Sequence, residues 1–240
     1  MEEKQGLPKD MINFFTEHLK HHKIEKEKKK LLEINKDFTL GEELFNSISH
    51  GIGALLSIAG LVLLTVWSDH PNQVVGMSLF GASAILMYLM STLYHAFPRG
   101  KTKKVFERFD HSSMYILIAG SYTPLCFIAF PDTIGWVLFG IQWGLAIIGV
   151  ILKSIWVDKF EFIHVILFLL MGWSFVFFIG PLLLGMPILG FILLTVGVAC
   201  YSIGLLFYIF TWFKFHHGLW HLFVLAGTIL YFFSMYTLVS

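Results

Sequence analysis

From about residue 44 onward, long apolar runs alternate with short polar or helix-breaking stretches. The runs cover approximately 44–67, 74–97, 109–130, 134–152, 161–179, 188–212 and 217–239. At about 1.5 Å of rise per residue, each is long enough as a helix to cross a hydrocarbon core of roughly 30 Å. Between them stand Asp69 to Asn72, Pro98 to Gly100, Pro131 and Asp132, Lys153 to Lys159, and Gly180 to Pro187, residue types that end helices at a membrane boundary. The pattern predicts an all-α integral membrane protein whose residues 41–240 form a seven-transmembrane helix bundle. Residues 1–40 read differently: nine lysines are interleaved with eight acids, and only Met11, Ile12, Phe15 and Leu19 hint at an amphipathic turn. They are expected to form a polar cytosolic tail, with the KEKKK run at 26–30 as a solvated face.

Composition strengthens the membrane reading. Apolar residues make up 56% of the chain and charged residues 14%, against roughly 45–50% and about 25% in soluble domains. Net charge is only +1, so it says little about partners, but the placement of charge says more. All 17 lysines and arginines fall in the tail, in 98–108 (Arg99, Lys101, Lys103, Lys104, Arg108), in 153–160 (Lys153, Lys159) and at Lys214. Seven crossings put these four segments on one side, so the positive-inside rule predicts a cytosolic N-terminus and an external C-terminus, in the cell membrane. A count of six or eight would break this segregation. No secretory signal is expected in the polar first 40 residues, which leaves the first span as the insertion signal. Cys126 and Cys200 both lie inside apolar runs and are read as small core residues, not a disulfide. Membrane lipid is the expected environment and candidate substrate. No nucleic-acid partner is expected, and the number of subunits is left open.

The polar residues inside the spans carry the chemistry, because an ionisable side chain in a membrane helix is costly and usually turned inward. His217 and His221 stand four apart, one turn above the other on one helical face, a spacing that lets two imidazoles converge on one metal ion. The alternating topology brings the end of the second span, at His95, and the start of the third, at Asp110, to the same depth. Glu43, Asn46 and His50 share one face at the start of the first span and add a candidate second shell. Three neutral imidazoles suit Zn2+ and leave a fourth tetrahedral position for water or substrate. Asp110 is the natural proton acceptor for that water, and Ser91, one turn from His95, a donor to substrate oxygen. Gly218 after His217 rules out the HExxH arrangement. His164 reads as a hydrogen-bonded packing residue. Separations above about 8 Å among residues 95, 217 and 221 would exclude a shared ion, since the bonds to it are about 2 Å long.

Five ordered motifs then carry a resemblance: E-E-x-x-N-S-x-S-H at 42–50, S-x-x-x-H at 91–95, F-D-H-S-S-M-Y at 109–115, A-G-S-Y-T-P at 119–124, and H-x-x-x-H-L-F-V-L-A-G at 217–227. From about residue 42 to 240 the chain resembles the hemolysin III proteins, bacterial members of the progestin and adiponectin receptor superfamily. The resemblance implies zinc held by His95, His217 and His221, with Asp110 contacting the water on the ion. It also implies distant kinship to alkaline ceramidases, membrane hydrolases of a lipid amide, and a role in membrane lipid homeostasis. A zinc-dependent hydrolase of lipid amide or ester bonds is the leading expectation. A cytolytic pore, or a receptor in which zinc is structural, are the alternatives. Pro124, without an amide hydrogen, is expected to bend the third span and open a lipid-accessible cleft beside it.

Overall fold

The computed structural model describes Glu17, Lys20 and residues 38–240 apart from 131, 158 and 212. The hinted turn around Met11–Leu19, save Glu17, and the 26–30 run lie outside the described residues. Among the described residues all regular structure is helical, and seven helices are long and apolar enough to cross a membrane: Leu40–Val66, Pro71–Ala96, Lys101–Ala129, Thr133–Ile155, Glu161–Gly185, Ile188–Ile209 and His216–Tyr236. The chain is a multi-pass membrane protein built as a seven-span helical bundle.

The third span is the centre of the bundle. Within its apolar window 72% of residues are buried, against 28% in the first, fourth and fifth spans. It is also rich in hydroxyls: Ser112, Ser113, Tyr115, Ser121, Tyr122 and Thr123 are all buried. Outer spans turn their largest apolar side chains outward, Leu184, Phe177 and Phe162 among them, as a lipid-facing surface requires. Hydrogen bonds from tyrosines tie the spans together: Tyr231 Oη donates to the Ser121 carbonyl at 2.7 Å, Tyr88 Oη to Thr228 Oγ1 at 2.7 Å, and Tyr115 Oη lies 2.6 Å from His164 Nδ1. In lipid, where apolar contact gives no preference between helices, such bonds and close packing hold a bundle together.

Two boundaries differ from the sequence reading. The third helix begins at Lys101, about two turns before the apolar run, so four of the basic residues expected in a 98–108 loop are helical. Hydropathy marks the part of a helix that sits in lipid, and helical backbone continues past it into polar surroundings. The fifth span does not end at Gly180: an α-helix to Gly172 gives way to a 3-10 turn over Ser174–Phe178, then to a second helix, Ile179–Gly185. Gly180 and Pro181 read as breakers, yet Pro181 falls in the first turn of that second helix, where its missing N–H would have had no intrahelical partner.

Irregular backbone at membrane depth must be satisfied by protein groups, and here a side chain from the third span does this. Tyr122 Oη donates to the Gly172 carbonyl at 2.7 Å and accepts from the Phe175 N–H at 3.1 Å. Gln142 Nε2 from the fourth span donates to the Met171 carbonyl at 3.0 Å. Tyr122→Phe should therefore strand a half-buried carbonyl and a buried N–H and destabilise the protein by about 1–3 kcal/mol, read as a lower midpoint of denaturant unfolding in detergent. An unchanged midpoint would show that the break is held some other way.

Directly after Pro124 the third span passes into a π-helical turn, Leu125–Ala129, closed by the Phe130 N–H to the Leu125 carbonyl at 3.0 Å. A hollow of about 320 Å³ lies beside this turn, against Cys126, Phe127, Leu79 and Trp136. A separate cavity of about 70 Å³ sits among the second, third, fifth, sixth and seventh spans, lined by Met87, Leu117, Tyr122, Phe168, Tyr201 and Trp220 among others.

Candidate metal centre

Alternation of direction sets the site. The first, third and seventh spans begin at the end of the bundle where the second stops, so the motifs at 42–50, 91–95, 109–115 and 217–221 meet there. His95, His217 and His221 are all buried, and one ligand nitrogen from each lies within 4.8 Å of the others. Ring centroids are 5.2 Å apart for His95 and His217, 5.1 Å for His95 and His221, and 4.8 Å for His217 and His221.

Neighbouring groups fix which nitrogen each imidazole presents. His95 Nδ1 lies 2.7 Å from Glu43 Oε2, so Nδ1 carries the proton and Nε2 the lone pair. Glu43 is held in turn by Lys103 Nζ, 2.8 Å from its other oxygen, and Lys103 donates as well to the carbonyls of Tyr94 and Phe97 at the end of the second span. His221 Nδ1 lies 3.2 Å from the backbone oxygen of Asn46 and 3.3 Å from Ser49 Oγ. A carbonyl only accepts, so this nitrogen is protonated too, and the buried Nε2 of His221, which makes no hydrogen bond among the described residues, carries the lone pair. A metal-ligating histidine characteristically donates its other N–H to a carboxylate or carbonyl in this way. Nitrogens sharing one tetrahedral zinc at about 2.0–2.1 Å stand roughly 3.4 Å apart, so rotations moving each nitrogen by about 1 Å seat the trio on an ion. The donor set fits.

Around the trio, His50 stacks on His221 with centroids 3.4 Å apart and planes within 6°, and its two ring nitrogens are buried without hydrogen bonds among the described residues. The side-chain amide of Asn46 is buried in the same manner. Asp110 is 3% exposed and stands against Ser91, itself fully buried one helical turn from His95. His111 Nδ1 lies 3.9 Å from Asp110 Oδ2. Trp220 packs on His217 at 4.8 Å and on His221 at 5.0 Å while also lining the 70 Å³ cavity, so one indole separates the histidines from that space. Glu42, Ser49, Lys103 and Trp220 were not singled out by sequence reasoning. A lysine near a helix C-terminus is a common partner for the last carbonyls, and that signal was present at Lys103.

Comparison with known proteins extends this picture. The profile of a family described as Haemolysin-III related matches residues 38–232. The chain is 41% identical over 201 residues to the Hemolysin-3 homolog of Bacillus subtilis (strain 168), an alignment covering 82% of this chain and 94% of that protein. It is 42% identical over 197 residues to Hemolysin-3 of Bacillus cereus, covering 81% and 90%. A more distant similarity, 23% over 212 residues, links it to the Monocyte to macrophage differentiation factor of Homo sapiens, covering 82% and 84%.

Proposed function

The chain belongs to the Haemolysin-III related family, and from that premise we propose that its histidine centre holds zinc and that the protein hydrolyses an amide or ester bond of a membrane lipid. The observation that carries the reading is the buried trio His95, His217 and His221, which would hold the ion with three protein ligands, one fewer than a closed structural zinc site uses. Zinc held there supplies Lewis acidity and lowers the pKa of water towards roughly 7. Asp110 takes the proton released when water attacks the carbonyl carbon, and passes it to the leaving amine or alcohol. Ser91 donates to the carbonyl oxygen as negative charge develops on it. Glu43 and the Asn46 carbonyl hold two of the imidazoles in the required tautomer. With the Trp220 indole turned aside, the apolar cavity behind it takes hydrocarbon from the acyl portion. By the distribution of lysine and arginine, this end of the bundle faces the cytosol.

The test is release of fatty acid from N-acyl sphingoid and glycerol-ester lipids by protein in lipid nanodiscs, with and without a zinc chelator. Zinc-dependent release supports the reading. A protein that holds an ion yet releases fatty acid from no lipid amide or ester overturns it. Likeness to a protein named Hemolysin-3 favours a second reading, membrane lysis. Against a pore within one subunit, the buried ionisable groups among the described residues, from Glu42 and His50 to Lys153 and His164, gather at one end of the bundle. Leakage from dye-loaded liposomes that persists when zinc is removed would favour lysis over hydrolysis.

A further inference from the structure

The helix that carries His217 and His221 starts without a cap of its own. Its first flanking residue is Phe215, held at φ 65° and ψ 12°, with no side-chain oxygen to offer the helix. A left-handed conformation is uncommon for a large non-glycine residue and persists where surrounding contacts enforce it. Those contacts come from the first span. Glu42 Oε1 accepts the Phe215 N–H at 2.9 Å, and Glu42 is 8% exposed. The Phe215 ring meets Phe45 edge-on at 5.9 Å. Three residues further on, a methyl group at Gly218 would stand 2.5 Å from the Phe45 ring and 3.0 Å from Asn46 Oδ1, so the first turn of the seventh span lies directly on the first.

We infer that Glu42 is a positioning residue for the metal centre, fixing the rotation and height of the seventh helix so that His217 and His221 face His95. The inference rests on the metal reading above. Consecutive carboxylates then divide the work: Glu43 orients the histidine from the second span, and Glu42 seats the helix that brings the other two. The first span contributes none of the three histidines and assembles the centre from both sides. Register matters because successive helix positions differ by about 100° about the axis. Starting the helix one residue earlier or later would turn both imidazoles off the cluster. A carboxylate beside the helix N-terminus also matches the positive end of its dipole.

Glu42→Gln and Glu42→Met separate this role from simple packing, since both keep the side-chain volume but only glutamine keeps an acceptor. Zinc affinity of each variant in detergent is measured by competition with a chelator, and cobalt is substituted to read ligand geometry from its visible spectrum. Glu42→Gln should bind zinc within about threefold of wild type, whereas Glu42→Met should bind at least about tenfold more weakly, as losses of outer contacts to metal ligands do. Its cobalt bands should weaken as tetrahedral geometry is lost. Equal affinities for the two variants would overturn the assignment. So would a methionine variant whose metal-free form melts earlier while its zinc affinity is unchanged. Wild-type protein that binds no metal would remove the metal reading itself, a failure distinguishable from either.

Discussion

Replacing His217 by alanine should reduce the bound divalent ion from about one equivalent per chain to below about a tenth, because two imidazoles cannot close a tetrahedral site that three were arranged to share. His95 and His221 would keep their orientations in this variant, since the bonds of their Nδ1 atoms run to Glu43, Asn46 and Ser49 and do not involve residue 217. The loss would therefore report on the missing nitrogen, not on collapse of its partners. Truncation also removes a buried ring packed on Trp220, with a stability cost of about 1–3 kcal/mol. Elemental analysis of protein purified without added metal, beside a melting curve, separates the two effects. A full equivalent of ion retained by folded His217→Ala protein would remove this residue from the centre and leave the trio without its defining member.

The helical frame was legible because a bilayer leaves a chain few options. Without water to satisfy peptide groups, the backbone must close its hydrogen bonds within each span, so apolar length and punctuation nearly determine the architecture. Structure departs from the sequence pattern where that constraint weakens. Lys101 to Arg108 form helix outside the apolar run, where hydropathy is silent about backbone state. The break after Gly172 depends on Tyr122, about 50 residues away in sequence, presenting a hydroxyl to both sides of the gap. No local pattern announces a bond of that separation.

At the site, the spacing of His217 and His221 and the shared depth of His95 were readable, because helix period and alternating direction convert residue number into position. The second layer was not. Glu42 and Glu43 are neighbours, and sequence alone cannot say that one faces Phe215 while the other faces His95. In the sequence Lys103 is one of several charges in a basic segment, yet its ammonium group bridges Glu43 to the last carbonyls of the second span. Trp220 stands among other aromatics in an apolar helix; only packing makes it the wall between the histidines and the cavity.

Asp110→Asn should leave the ion in place and lower hydrolysis by about 10²- to 10⁴-fold, the range that a positioned proton acceptor contributes. Asparagine preserves the shape of the side chain and a hydrogen bond towards Ser91 but cannot take a proton, so binding and proton transfer come apart in this one change. The aspartate is 3% exposed, hence bulk buffer is poorly placed to substitute for it. Turnover per chain and metal per chain, measured on the same preparation, give three distinguishable outcomes. Metal retained with turnover lost is the expected one. Loss of both would make Asp110 part of what holds the ion, which the grouping of the three histidines alone does not require. Retention of both would return Asp110 to a packing role against Ser91 and His111 and favour a centre whose metal braces the second and seventh spans without chemistry.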